Sequence, residues 1–158
     1  MPYALVLRRR VQFYETDAAG IVHFSTFFRY MEEAEHALWR EAGLSIFPPE
    51  PTHGWPRVAA SFDYRRPLRF EDEFEIRIEV TQVSVRSMTY ACRVVCRGEL
   101  VADGRMTIAC IERQADHAMK SVPIPAAIAA LFKPPSAALP RPGVAGPAVP
   151  ADDAGSPE

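Results

Sequence analysis

The chain has 158 residues and is 48% hydrophobic, enough for one domain with a substantial core. A formal net charge of −2 and a sequence pI near 6.1 exclude the basic footprint of a nucleic-acid binder. No apolar run approaches the roughly 20 residues of a transmembrane helix, and the arginines of MPYALVLRRRVQF follow the apolar stretch instead of preceding it, so the expected setting is cytoplasmic with no membrane partner.

In chain order, Leu5, Leu7, Val11 and Phe13 predict a first strand. The segment VQFYETDAAGIVHFSTFFRYMEEAEHALW follows, and its Asp17 and Gly20 predict a bend ahead of a helix over Ser25–Ala42. In that helix Phe27, Tyr30, Met31, Ala34, Leu38 and Ala42 recur at helical spacing, and Phe28, Ala37 and Trp39 widen the apolar arc. Gly43 fits the left-handed position after the last turn. Val58, Ala60, Phe62 and Tyr64 predict the next strand, which Pro67 interrupts. Phe74, Ile76, Ile78 and Val80 alternate with polar residues, as do Met88, Tyr90, Cys92, Val94 and Cys96. Arg97-Gly98-Glu99 then turns the chain into Leu100–Ile111, and a short helix is expected over Pro125–Phe132. The three cysteines, Cys92, Cys96 and Cys110, lie in strand-like segments and read as buried thiols. Residues 134–158 hold seven prolines and three glycines, which predicts a disordered Pro/Ala-rich tail after a folded domain of residues 1–133. The fold class is α+β: about five antiparallel strands curled around one long helix.

A carboxylate in a Gly-containing bend before a helix has a chemical use. Helix N-termini leave backbone N–H groups free and carry partial positive charge, so they favour a developing oxyanion. A carboxylate beside them attacks a carbonyl or activates water. Asp is also a common N-cap, but Ser25 already stands at that position.

Thr16-Asp17-Ala18-Ala19-Gly20-Ile21-Val22, the aromatic-rich helix after it, DYRRPLRFEDEFEI, Arg86-Ser87-Met88-Thr89-Tyr90 and Val122-Pro123-Ile124-Pro125 together resemble the hot-dog-fold acyl-CoA thioesterases of the 4-hydroxybenzoyl-CoA thioesterase type. The resemblance spans about residues 5 to 132, and TDAAG is its specific part. It implies that Asp17 is the nucleophile or general base. It further implies that a backbone N–H at or near Phe24 polarises the thioester oxygen, with Gly20 shaping the approach. Many relatives carry His23 and Phe24 in the reverse order, so His23 is either a positioning group or simply packed. Arg65, Arg66, Arg86 and Ser87 are candidates for holding CoA, with Thr89 beside them, and solvated strand faces are the other reading of those arginines. Phe24, Phe27 and Phe28 are candidates for the acyl pocket or for the core. The family also implies a homodimer or homotetramer with the site between subunits, and it calls for no cofactor. Glu32 and Glu35 read as a polar stripe or a second carboxylate near the site. His36, His53 and His117 lack metal-ligand spacing with the cysteines. The alternatives are a hot-dog hydratase or dehydratase acting on acyl thioesters and a non-catalytic acyl-CoA-binding module.

Overall fold

The computed structural model describes residues 3–135; the predicted tail lies outside them apart from Pro134 and Pro135. Strand β1 (Ala4–Arg10) leads through a 3-10 turn at Phe13–Glu15 to α1 (Thr26–Glu41). After it come β2 (His53–Gly54), β3 (Arg57–Tyr64), β4 (Glu73–Val83), β5 (Ser87–Cys96) and β6 (Glu99–Ala109). Strands β7 (Ile111–Arg113) and β8 (Met119–Ser121) and helix α2 (Ala126–Phe132) complete the described residues.

Five strands form one antiparallel sheet in the order β1-β4-β5-β6-β3. β4, β5 and β6 are consecutive hairpins, and Arg97 and Gly98 both take left-handed backbone angles at the tight turn between β5 and β6. Register shifts between Val80 and Gln82, and between Val94 and Val95, add twist and curl the sheet. Its concave face carries Phe74, Ile76, Ile78, Val80, Met88, Tyr90, Cys92 and Val94, all buried. Against them α1 lays Phe27, Tyr30, Met31, Ala34, Leu38 and Trp39, at about 1.5–3 kcal/mol for each large apolar side chain taken from water.

α1 ends where the pattern predicts, in a paired C-terminal motif. Gly43, at φ +75, donates to the Arg40 carbonyl at 2.9 Å, and Leu44 donates to the Trp39 carbonyl at 2.9 Å.

Three expectations are corrected. The first strand stops at Arg10: Val11 is buried but donates to the Asp72 carbonyl, and Phe13 sits in the 3-10 turn, exposed. The Val58–Tyr64 face is covered by its own chain only in part, where Phe27 and Phe28 of α1 meet Phe62 and Tyr64. β3 is the sheet's edge, almost wholly exposed, with Val58 at 61% and Tyr64 at 45%. A second sheet, β2-β7-β8, was not foreseen, because two- and three-residue strands leave no period to read. The three cysteines are buried free thiols.

Candidate active site

The Asp17 bend is a small antiparallel loop, locked before α1 begins. Thr16 bridges Val22, Asp17 N–H donates to the Ile21 carbonyl at 2.9 Å, and His23 N–H donates to the Glu15 carbonyl at 2.9 Å. Gly20 makes the reversal at φ +74, where an added Cβ would meet nothing within 4 Å. Gly20 is therefore required by backbone conformation, and the space its missing side chain leaves is open to a substrate. From the far side, Val22 N–H reaches the Leu68 carbonyl at 2.8 Å, and Arg69 leans its guanidinium toward the Gly20 carbonyl at 3.5 Å.

Beneath the loop lies a charged buttress. Glu15 is buried, accepts Arg9 Nη2 at 2.6 Å and takes a short hydrogen bond from the Tyr30 hydroxyl. The other end of Arg9 grips Glu33 at 2.8 Å, and its guanidinium lies 5.1 Å from the centre of the Tyr30 ring. Burial, reinforced by the Glu15 carboxylate, pushes the Tyr30 hydroxyl far above its ordinary range, so it remains a donor. This network ties β1, the 3-10 turn and α1 together under Asp17.

Asp17 itself is half-buried. Its Oδ1 accepts the Ala19 N–H at 2.8 Å, and its Oδ2 has no partner among the described residues. The carboxylate caps its own turn and leaves the start of α1 free. Ser25, expected to cap the helix through its side chain, makes no such bond. Its hydroxyl lies instead 2.7 Å from His23 Nδ1, and its N–H points to the same nitrogen at 3.3 Å. The ring also lies against Phe24, with centroids 4.4 Å apart.

The amide expected to polarise a carbonyl is unengaged. Among the described residues the Phe24 N–H donates to no acceptor, whereas Thr26 N–H goes to the His23 carbonyl at 2.9 Å and Phe28 N–H to the Ser25 carbonyl at 3.2 Å. The start of α1 thus presents a free donor at Phe24, and the loop before it bears one free carboxylate oxygen. Phe24 is exposed, and a separate aromatic cluster lies on α1 and β3: Phe27 contacts Phe62 and Tyr64 at 5.9 and 5.2 Å, and Phe28 contacts Phe62 at 5.2 Å.

The CoA candidates divide into two groups. Arg65 and Arg66 follow β3 directly after Tyr64, whose hydroxyl reaches the Phe24 carbonyl; they are half-exposed and pair with Asp103 and Glu99 at 3.3 Å each. Arg86 donates to the Ser121 carbonyl at 2.7 Å, next to Ser87 at the other end of the sheet. The Arg65 N–H meets Val101, whereas Ser87 pairs with Ala109, eight residues along β6 and so roughly 26 Å away. Thr89 is buried and bonded to Thr107 at 3.0 Å, which removes it from any substrate surface.

Glu35 is neither a solvated stripe nor a neighbour of the loop. It is fully buried and bonded to Arg57, which also reaches Glu32 at 3.3 Å. Burial outweighs the pull of Arg57 and raises its pKa to about 7. The spacing held the signal: Glu35 follows Met31 by four residues and precedes Leu38 by three, inside the apolar arc. Beyond it, a cleft of about 510 Å³ gathers His36, His53, His117, Trp55, Arg57 and Arg113. Among the described residues no cluster of His, Cys, Asp or Glu can hold a metal ion.

A long helix wrapped by a curled antiparallel sheet, with a carboxylate-bearing loop at the helix start, defines a hot-dog enzyme acting on thioesters. Residues 11–132 match the family model of the thioesterase-like superfamily, and the chain belongs to that superfamily. It is 36% identical over 101 residues to a putative esterase of Aquifex aeolicus, covering 58% of this chain and 70% of that one. It is 32% identical over 107 residues to a 1,4-dihydroxy-2-naphthoyl-CoA hydrolase of a Synechococcus strain, covering 63% and 72%. A crystal structure of a hypothetical protein from Aquifex aeolicus superposes with a TM-score of 0.76 at 32% identity, covering 82% and 99%. No helix among the described residues is long and apolar enough to cross a membrane.

Proposed function

We propose that this protein hydrolyses acyl-CoA thioesters to free acid and CoA, with Asp17 as nucleophile or general base and the Phe24 N–H as the donor to the thioester oxygen. The observation that carries this reading is one carboxylate oxygen without a partner on the loop that leads into α1, together with an unengaged amide in the turn where α1 begins. In the general-base route Asp17 takes a proton from water, the water oxygen bonds the carbonyl carbon, and the C–S bond breaks to release CoA thiol. In the nucleophilic route an Asp17 oxygen bonds the carbonyl carbon, the C–S bond breaks and CoA leaves as thiolate, and water then opens the mixed anhydride to release the acid and restore Asp17. In both, negative charge grows on the carbonyl oxygen, where an oriented amide and the helix start stabilise it. His23, held by Ser25 and stacked on Phe24, positions that turn.

The site is completed by a second copy. β3 is an exposed edge with unpaired backbone groups and apolar side chains, a surface suited to pairing with itself. Antiparallel pairing of two β3 strands sets the Arg57 end of one beside the Tyr64 end of the other. The cleft at Arg57 then opens near the Asp17 loop of the other subunit, and the substrate crosses between them. Arg65 and Arg66, next to Tyr64 at the end of β3, are the candidates to meet CoA phosphates within one subunit; Arg86 and Ser87 serve only from the other subunit. A CoA substrate fits a cytoplasmic protein. The aromatic cluster and the naphthoyl-CoA activity of the Synechococcus relative make an aromatic acyl group the favoured substrate.

The test is thiol release by the purified protein from a panel of aromatic and aliphatic acyl-CoAs. Release from at least one supports the reading. Hydration of an enoyl-CoA without thiol release replaces it with a hydratase, and tight binding without turnover replaces it with a binding module.

A further inference from the structure

The amide that would polarise the carbonyl belongs to a turn, and a turn is accurate only if its peptide planes are held. Two planes flank the Phe24 Cα. The plane carrying the Phe24 N–H is held through the His23 carbonyl, which accepts Thr26 N–H at 2.9 Å. The next plane is held at both ends: its N–H, on Ser25, points to His23 Nδ1 at 3.3 Å, and its carbonyl, on Phe24, accepts the Tyr64 hydroxyl at 2.8 Å. All of these contacts are local to the turn except the last, which comes from the end of β3, forty residues on. Phe28 does not take up the Phe24 carbonyl, since its N–H goes to Ser25. The Tyr64 ring is itself fixed, edge-on to Phe27 at 5.2 Å and stacked with Phe62 at 6.1 Å, while its backbone pairs with Ala102.

We propose that Tyr64 is a positioning residue: its hydroxyl anchors the turn that aims the Phe24 N–H and so makes carbonyl polarisation depend on the geometry of the edge strand β3. The role rests on the hydrolase reading above and extends it to a residue on the strand through which two copies would pair. Pairing of β3 sets the strand's course at Tyr64, and Tyr64 passes that course to the turn.

The test is Tyr64→Phe, which keeps both ring contacts and deletes one hydrogen bond. On the best acyl-CoA, kcat falls about ten-fold while KM stays within about two-fold, because the amide acts mainly on the transition state. The melting temperature and the oligomer size stay those of the wild type. In the same variant the Ser25 amide exchanges with solvent at least about five-fold faster, a readout that requires no turnover. Wild-type kcat in the variant, an equal loss in kcat and gain in KM, or unchanged Ser25 exchange overturns the proposal. A wild-type protein that releases thiol from no acyl-CoA overturns the hydrolase reading instead, and is recognised because it fails before any substitution is made.

Discussion

Glu35 combines complete burial, a partner in Arg57 and a pKa raised to about 7. Its folded-state pKa stands above the ordinary 4.5, so the folded protein holds this proton more tightly than the unfolded chain. The stability it contributes is full below pH 4.5 and is lost as pH rises through 7. Glu35→Gln cannot ionise and removes that dependence. In urea denaturation from pH 5 to 8, the wild type should lose stability relative to the variant, by at most roughly 3 kcal/mol; parallel profiles would refute this. Gly20 gives a second prediction at this scale. There is room for a methyl group, but φ +74 penalises any Cβ, so Gly20→Ala should cost about 1 kcal/mol in denaturation experiments and distort the Asp17 turn. A neutral substitution would show that the turn relaxes without cost.

Among the elements, β3 differs most from its neighbours. β4 and β5 alternate buried and exposed residues as half-buried strands do, whereas β3 is exposed on nearly every residue despite an apolar pattern. It is held from one side by β6, where Gly104 lets the Phe62 ring lie on the backbone; an added Cβ would sit 2.6 Å from that ring. Val58→Lys should leave the protomer folded, since Val58 is 61% exposed, yet place a charge on the proposed seam. Sedimentation should show a shift toward monomer, with thiol release falling in parallel. An intact, active dimer would remove β3 from the interface. The same contrast marks the limit of sequence reading. Period two identified β3 as a strand, and the 3.6 period bounded α1 to within a residue, because both are local. Whether Val58 faces a core or another chain depends on which strand ends up at the edge, and no local pattern carries that. Phe13 failed for a related reason: its alternation with Val11 is real, but the chain must leave the sheet at Arg10 for Glu15 to reach Arg9 and Tyr30.

At the scale of the whole molecule, the parts of the proposed site lie far apart in sequence: Asp17 and Phe24, Arg65 and Arg66, and Tyr64 on the sheet edge. Asp17 and Gly20 enter the proposed site through the TDAAG resemblance. The buried Arg9–Glu15–Tyr30 support was not legible in the sequence, since three polar residues spread over 22 positions leave no signature until the fold gathers them. The histidines show the converse: spacing that suggested nothing in sequence becomes one cleft in space. The central claim is that the Asp17 carboxylate and a helix-start amide together break a thioester. The most direct test is kcat for thiol release by Asp17→Asn, which keeps the Ala19 contact and removes the charge. A positioned base or nucleophile accounts for about 100-fold to 10,000-fold in rate, so a loss of that size is expected with the fold intact. Thiol release at the wild-type rate from Asp17→Asn would contradict the account.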